Sequence, residues 1–498
     1  MALDKLTTHT EPNKGFFGHP AGLQTLFFTE MWERMSYYGM RALLVLFMTT
    51  AINEGGLAMG VATATAIYGL YTGSVYFLGL PGGWISDRII GSQKAVWYGG
   101  WVIFSGHVVL AIPNEKLFFV GLMLVAIGTG LLKPNITALV GQLYGKQDPR
   151  RDGGFTIYYM GINIGSIIGY TVTGLLAEKV GWHWGFGAAA IGMALGLIQY
   201  KRSIGNLEGI GEKAISPVDA KQDKNTLIGL SAAGLAVFSF VLLSIFGVVS
   251  VDPVEISQYV VVTITALFFL FFAYLFFLCE LNPAEKKSML ALLFICVASA
   301  CFWAGFEQAG SSLNLFGRDF TNRVIGDFVV PTAWFQNANP LFIVTLSPFF
   351  AALWINLGKR MLDPSYTVKC AIGLVIMGSG FLVMFFAAQL AASGMKVAPY
   401  WLITTYFLHT VGELCLSPVA LSAVTRLAPA RLAGQSMGLF VLTYAIGNVI
   451  AGLFAGQFDP ENLQELPGLF LQISAFTAVV AVFIFVVSFI TKHWEKSI

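Results

Sequence analysis

The sequence predicts an all-α integral membrane protein of about fourteen spanning helices: two six-helix bundles with two extra helices between them. Three observations predict it. The 498 residues are 56% hydrophobic and only 11% charged, with mean hydropathy +0.72, whereas about a quarter of a soluble protein is charged. Apolar stretches long enough to cross about 30 Å of hydrocarbon recur along the whole chain. The most polar long linker falls after the sixth of them.

The stretches lie near 21–50, 58–86, 93–112, 116–143, 153–178 and 183–201, then 226–250 and 256–279, then 288–317, 337–358, 367–393, 398–427, 431–458 and 467–491. The seventh and eighth contain no charge, whereas the stretches on either side carry polar groups. We therefore divide the chain into an N-terminal bundle (1–201), a linker with two extra helices (202–287) and a C-terminal bundle (288–498). Gly82-Gly-Trp-Ile-Ser-Asp-Arg88 after the second helix is echoed by Leu357-Gly-Lys-Arg360 after the second helix of the last six. Two related halves suggest a rocking secondary transporter with its site between them at mid-membrane.

An even number of spans puts both termini on one side, and the distribution of cations says which. Of 29 Lys and Arg, Lys116, Lys179, Arg318, Arg323 and Lys396 fall on one side, and Arg34, Arg41 and Lys133 lie within spans. The rest, from Lys5 and Lys14 through Lys146 and Lys221 to Lys496, gather on the terminal side. The positive-inside rule makes that side cytoplasmic. The polar stretch before residue 21 is not a cleavable signal, so the first spanning helix is expected to direct insertion.

Other classes find little support. A net charge of +2 argues against nucleic acid as a partner. The cysteines Cys279, Cys296, Cys301, Cys370 and Cys415 stand singly in apolar runs, which reads as packing and not as a disulfide framework. Neither a metal-ligand spacing of histidines nor a Gly-rich phosphate loop nor a Gly-x-Ser-x-Gly turn is present. An enzyme is therefore not expected, and no cofactor or metal is called for.

The functional clue is charge where the membrane should exclude it. Glu30-Met-Trp-Glu-Arg-Met-Ser-Tyr-Tyr-Gly-Met-Arg41 carries four charges inside the first span. At about 100° per residue, with Glu30 at zero, Glu33 falls near −60°, Arg34 near 40°, Tyr37 near −20°, Tyr38 near 80° and Arg41 near 20°. The polar groups share one side of the helix. A charge at the bilayer centre costs from about 3 to over 10 kcal/mol, so such groups face a bundle interior or a water-filled cavity. We read the stripe as the lining of a polar cavity that binds protons and a charged solute. Holding helices together by ion pairs is the plainer alternative.

Lys133, Glu307 and Glu413 are the other ionisable groups deep within spans. Lys133 precedes Pro134, and Glu413 lies between Gly412 and Pro418, so bent helices with freed backbone groups are expected at both. Glu307 follows Trp303 by one turn. His409, one turn before Glu413, is read as either a packing group or a proton relay, and His107 as packing. In Gly82-Gly83-Trp-Ile-Ser-Asp87-Arg88, paired glycines allow close helix approach. Asp87 and Arg88 are expected to meet a helix end across the terminal side, forming a conformational latch; a plain tight turn is the alternative.

At these residues the chain resembles the proton-dependent oligopeptide transporter (POT/PTR2) family of the major facilitator superfamily. Glu30-Met-Trp-Glu33-Arg34 with Tyr37-Tyr38-Gly39 is similar to its ExxERFxYYG motif, with Met35 in place of Phe. Gly82 to Gly91, Lys133-Pro-Asn, Phe155 to Ser166, Phe302 to Gln308, Asn339-Pro340 and Gly412 to Pro418 resemble its other signatures, and the two extra helices resemble its bacterial branch. The resemblance implies import of di- and tripeptides with protons as the coupling ion, across a bacterial inner membrane.

It also implies roles. Glu30, Glu33, Arg34, Lys133 and Glu307 would serve proton coupling. Arg41 and Lys133 would meet the peptide carboxylate, and Glu413, with Asn163 and Asn339, its amino group. Arg41–Glu307 would form an outer gate and Lys133–Glu413 a pair between the halves. Tyr37, Tyr38, Tyr76, Tyr159 and Trp303 would line side-chain pockets, with Ser417 beside Glu413. Two positions depart from the family: Gly69 stands where animal members have histidine, leaving proton binding to carboxylates, and Phe440 stands where bacterial members often have Trp.

The residues themselves agree with such a substrate. A short peptide is a zwitterion, and basic groups on one half facing acidic groups on the other suit its two ends. Proton coupling needs a carboxylate that takes up a proton when its cationic partner turns to the substrate. The nearest alternative is a proton-coupled symporter of another small anion or zwitterion, such as nitrate or an amino acid derivative, on the same fold. A channel is the alternative from another class, but it calls for rings of one residue type along a pore.

Overall fold

The computed structural model describes residues 15–145, 148–216 and 224–495. Among the cations that set the expected orientation, Lys5, Lys14, Lys146, Lys221 and Lys496 lie outside the described residues.

Fourteen helices of 19 to 30 residues and one short helix account for most of the described chain. They are α1 (Ala21–Thr49), α2 (Val61–Ile85), α3 (Ser92–Leu110), α4 (Glu115–Gln142), α5 (Arg151–Lys179), α6 (Trp182–Ser203), α7 (Lys224–Ile245) and α8 (Pro253–Leu278). There follow α9 (Pro283–Phe306), the short α10 (Ser312–Asp319), α11 (Ala338–Lys359), α12 (Tyr366–Ala392), α13 (Tyr400–Leu427), α14 (Ala433–Ala455) and α15 (Leu466–Glu495). Strands β1 (Val324–Ile325) and β2 (Phe328–Val329) form a small antiparallel hairpin between α10 and α11. The fold is the all-α membrane bundle that the sequence predicts. Nine of the helical segments among the described residues are spans by length and hydropathy alone. The first helix falls short of that measure because Glu30, Glu33, Arg34 and Arg41 interrupt it.

Local sequence sets the boundaries. The Asn114 side chain accepts the Leu117 amide at the start of α4 (3.1 Å). Asp252 accepts the Val254 amide ahead of Pro253 at α8 (2.8 Å). Asn282 and Glu285 form a reciprocal capping box at α9, which satisfies amides that the first helical turn leaves unpaired. One cap is not local: Glu495, at the end of α15, accepts from the Tyr366 amide (2.6 Å) and the Thr367 hydroxyl (2.8 Å) at the start of α12.

The run 288–317, expected as one span, is broken. The helix α9 stops at Phe306, a 3₁₀ turn covers Glu307–Gly310, and α10 begins after Ser311, whose φ of −126° and ψ of −100° are not helical. Gln308 stabilises the break: its Nε2 donates to the carbonyls of Ala304 (3.2 Å) and Ala451 (3.0 Å), and its Oε1 accepts from Ser312 (2.6 Å). Glu307 is thereby presented at a helix terminus. The prolines do not break their helices: α4 runs on through Pro134 and α13 through Pro418, and the Asn135 side chain bonds the Leu131 carbonyl (2.6 Å).

Packing partners fall into two matching sets. In the first, α1 packs on α5 and α6, α2 on α4, and α3 on α4 and α6; in the second, α9 packs on α14 and α15, α11 on α13, and α12 on α13 and α15. The sets meet along two equivalent seams, α2 against α14 and α5 against α11. Of the two extra helices, α7 meets α4, while α8 lies over the first seam and touches both α2 and α14, with the Ser257 hydroxyl 3.4 Å from the Ala66 carbonyl.

The α2–α14 seam is close because Gly69 faces Gly452. A Cβ on Gly69 would lie 2.9 Å from the Asn448 carbonyl oxygen and 3.0 Å from the Gly452 Cα, both backbone atoms that cannot swing aside. Replacing Gly69 by Ala should lower stability by about 1–3 kcal/mol through overpacking. Gly187→Ala on α6, whose Cβ would meet only Ala111 at 3.8 Å, should be neutral or stabilising by up to about 1 kcal/mol. Thermal unfolding of the two purified variants checks the contrast.

Candidate functional site

Between the two sets of helices lies a cavity of about 850 Å³. Its wall runs from Arg41 and Glu307 past Lys133, Asn163, Asn339 and Glu413 to Asp87, Leu421 and Gly434, near the terminal-side ends of α2, α13 and α14. Beyond Arg41 and Glu307 the two sets of helices are sealed. Arg41 Nη1 donates to Glu307 Oε2 at 2.9 Å, with both side chains buried. Asn314 donates to the Ala42 carbonyl (2.8 Å), Arg318 to the Thr49 hydroxyl (2.8 Å), and Trp334 to the Thr171 carbonyl (3.0 Å). Glu178, at the end of α5, accepts from Arg323 (2.7 Å) and from the Thr332 amide (2.6 Å). The cavity thus opens toward the terminal side and is closed on the other.

The helix α1 supplies a buried charge cluster. The Arg34 guanidinium donates to Glu33 and lies 3.2 Å from Glu30, so two carboxylates share one cation. The Tyr158 hydroxyl approaches both Thr137 and Glu30. The rings of Tyr37 and Tyr38 lie 5.0 Å and 5.6 Å from the Arg34 guanidinium carbon, and Arg41 is 5.1 Å from Tyr38, so aromatic faces help to desolvate the cations without repelling them.

Glu30, Arg34, Tyr38 and Arg41 line the cavity, whereas Glu33 and Tyr37 do not. Helical geometry explains the division. The cavity sees a sector from about 0° to 80°, and the two residues on the negative side of Glu30 turn into the core of the first helix set. The expectation that Tyr37 lines a side-chain pocket is therefore corrected: it is 2% exposed and packs behind Tyr38 (5.4 Å between rings). Glu33 sits beneath Arg34 and senses the cavity through it.

Lys133 does line the cavity, but in this conformation no ion pair joins it to Glu413 among the described residues. Its ammonium stands over the Tyr76 ring at 4.4 Å. Glu413 is held by Asn339, whose Nδ2 lies 3.0 Å from Glu413 Oε2 and 3.0 Å from the Thr410 hydroxyl. Asn163 Nδ2 bonds the Tyr159 carbonyl (2.9 Å), which leaves its oxygen for the cavity. Tyr159, Trp303, Ser417, Phe440 and His409 are also on the wall; His409 packs on Phe381, 4.6 Å between rings.

The expected latch is arranged differently. A Cβ on Gly82 would collide with the Gly130 carbonyl, and Gly83 faces Pro134, so the paired glycines bring α2 onto α4. Arg88 does not reach a helix end: it donates to the Ser216 carbonyl (3.3 Å), while the Ser216 amide donates to the Asp87 carbonyl (3.0 Å). The segment after α6 turns back over this loop and intercepts it. The Asp87 side chain remains at the cavity rim.

Sequence reasoning does not single out Gln336, Tyr170, Tyr406 or Tyr444, all on the cavity wall, nor the Glu178–Arg323 pair on the closed side. Tyr444 carries a usable signal, because it lies one helical turn after Phe440 and so shares its face. Gln336 lies in a short 3₁₀ segment before α11, where no periodicity marks a side.

Comparison with known proteins gives a consistent result. The family described as PTR2: POT family matches residues 93–479. Peptide transporter YePEPT of Yersinia enterocolitica is 40% identical over 94% of each chain. A di-/tripeptide transporter of Lactococcus lactis subsp. cremoris is 37% identical over 88% of this chain and 89% of the relative. The crystal structure of a point mutant of peptide transporter POT in complex with alafosfalin superposes with a TM-score of 0.89 at 38% identity, covering 97% of this chain and 98% of the other.

Breaking the Arg41–Glu307 contact from either side leaves one buried charge unpartnered. Arg41→Ala and Glu307→Ala should each lower stability by about 3–5 kcal/mol, and the double variant by less than their sum. A double-mutant cycle on thermal unfolding in detergent checks this; additive losses would show that the two side chains are not coupled.

Proposed function

The chain belongs to the POT family, and on that premise we propose that it is a proton-coupled symporter importing di- and tripeptides across the bacterial cytoplasmic membrane by alternating access. The observation that carries the reading is the division of charge across one cavity. Arg34, Arg41 and Lys133 stand on the first set of helices, and Glu307 and Glu413 on the second. A zwitterionic peptide spans such a gap with its carboxylate toward Arg41 and Lys133 and its amino group toward Glu413, Asn339 and Asn163. Its termini are fixed by charge, while Tyr38, Tyr76, Tyr159, Trp303 and Phe440 surround its side chains.

Coupling follows from charge balance. Glu30 and Glu33 share Arg34, so the cluster carries one negative charge beyond what Arg34 neutralises, next to Lys133. A proton taken up by one carboxylate removes that excess and releases cationic character toward the peptide carboxylate. Loss of the proton as the peptide leaves restores the cluster, so each state of the cluster favours one state of the substrate site. Arg41–Glu307 serves as the outer gate in this cycle: a substrate carboxylate that takes Arg41 from Glu307 weakens the seal. With both termini cytoplasmic, as the cation distribution predicts, the conformation described above is the inward-facing one.

The same fold would serve a symporter of nitrate or of an amino acid derivative; the acidic wall at Glu413 and Asn339 disfavours nitrate, which bears no cationic group, and competition by peptides separates peptide from amino acid derivative. A channel fits less well, since opposite charges facing each other across a cavity closed at one end suit a carrier.

Proteoliposomes with an inward proton gradient should accumulate labelled dialanine, with competition by di- and tripeptides and weaker competition by tetrapeptides. Counterflow against unlabelled dialanine should occur, which a channel does not support. No dipeptide uptake together with nitrate transport would overturn the substrate assignment. Glu33→Gln should abolish gradient-driven accumulation; a variant that still concentrates dipeptide would remove Glu33 as the essential proton site.

A further inference from the structure

Of the wall aromatics that the roles above leave unused, Tyr444 is the one wedged between rings of both sets of helices. Tyr444, on α14, stacks on Tyr76 of α2 with ring centroids 5.2 Å apart and planes 21° from parallel. It also lies 4.7 Å from Trp303 of α9 at 36°. Phe440, one turn earlier, meets it edge-on at 5.4 Å and 86°. Its hydroxyl end is directed toward Ser417 and Glu413 of α13, which line the same cavity. No direct ring contact joins Tyr76 to Trp303 among the described residues, so Tyr444 is the piece between them.

This arrangement differs from a stacking platform. A ring that receives a substrate side chain offers it a free face, whereas Tyr444 is flanked by Tyr76 and Trp303 and met edge-on by Phe440. It therefore takes up space beside Glu413 and offers the substrate little surface to stack on. Tyr76 is itself braced, because the Lys133 ammonium lies 4.4 Å from its ring. The ladder Lys133, Tyr76, Tyr444, Trp303 crosses from one set of helices to the other, and closely packed rings of this kind do not yield without cost.

We propose that Tyr444 is a specificity-determining residue: it fills the subsite beside Glu413 and makes the transporter select small side chains at the amino-terminal residue of its peptide. The proposal rests on the peptide reading and on the amino group lying at Glu413, since only then is the first side chain the one that meets Tyr444. At the other end, Tyr444 makes no direct contact with Arg41 or Lys133 among the described residues and reaches Lys133 only through Tyr76, so discrimination is greatest at the amino-terminal position of the peptide.

The test is competition against labelled dialanine counterflow in proteoliposomes, using phenylalanyl-alanine, alanyl-phenylalanine and dialanine as competitors. For the wild-type protein, phenylalanyl-alanine should compete at least about tenfold more weakly than dialanine, the scale of discrimination a filled apolar pocket gives. In Y444A that ratio should fall to about one, while the ratio for alanyl-phenylalanine moves by less than about twofold. Y444F keeps the ring and should restore the wild-type ratio, which separates space-filling from any polar role of the hydroxyl. Y444V, a smaller packing loss, provides the same reading where Y444A does not reconstitute. An unchanged ratio in Y444A or Y444V overturns the proposal, as does equal competition by all three peptides in the wild type. Absence of dialanine exchange by the wild type overturns the peptide reading itself, a result distinct from the other two.

Discussion

The structure depends on one constraint: charges placed in an apolar bundle must be partnered. Arg34 meets this with two carboxylates and two aromatic rings, and Arg41 with Glu307 and Tyr38. Lys133 meets it with the face of Tyr76. Because desolvating an ion is expensive and a buried pair roughly recovers that cost at best, such groups are poor choices for stability alone. Their value lies in exchange. A cation that already has partners in the protein will part from them only for a ligand that offers equivalent ones, and a carboxylate or a proton on a neighbouring acid is such a ligand. The helices hold these groups on walls that move relative to one another, so changing partners also changes shape.

The seams between the two sets of helices make that motion possible. Along α2 and α14 the backbones approach through Gly69 and Gly452; between α5 and the 3₁₀ segment that leads into α11 the contacts are polar, through Thr171 with Trp334 and Asn337. On the closed side, Glu178 receives two donors from the second set, Arg323 and the Thr332 amide. These contacts are few, directional and near water, and can be broken one after another. The glycine seam, lacking side chains in the way, can serve as a sliding contact.

Much of this is legible in the sequence. Hydropathy yields the helix number, and the 100° period places the α1 charges on a common side. Glu30, Arg34, Arg41 and Tyr38 lie where that period puts them. Tyr37 and Glu33 do not reach the cavity, because a periodicity argument finds the polar side of a helix but not how wide a slice of it a neighbour leaves open. The break at Glu307 is hidden, since the apolar run continues across it and the groups that stabilise it, Gln308 with the carbonyls of Ala304 and Ala451, are brought together only by the fold. For the same reason a carboxylate partner is expected for Lys133, whose ammonium stands over a ring in this conformation. Pairing depends on the conformation that the bundle adopts, whereas sequence supplies only the candidates.

The cap that Glu495 provides to α12 has a consequence for how the molecule is made. Ser365 caps the Val368 amide locally, but Tyr366 and its acceptor are 129 residues apart, so when the ribosome has delivered the start of α12 to the membrane, the group that receives its first amides has not been synthesised. Until α15 emerges, those amides must be met by water or headgroups at the interface. Completion of the cap is therefore tied to completion of the chain, and a nascent protein stalled within α15 would carry the Tyr366 amide without its acceptor.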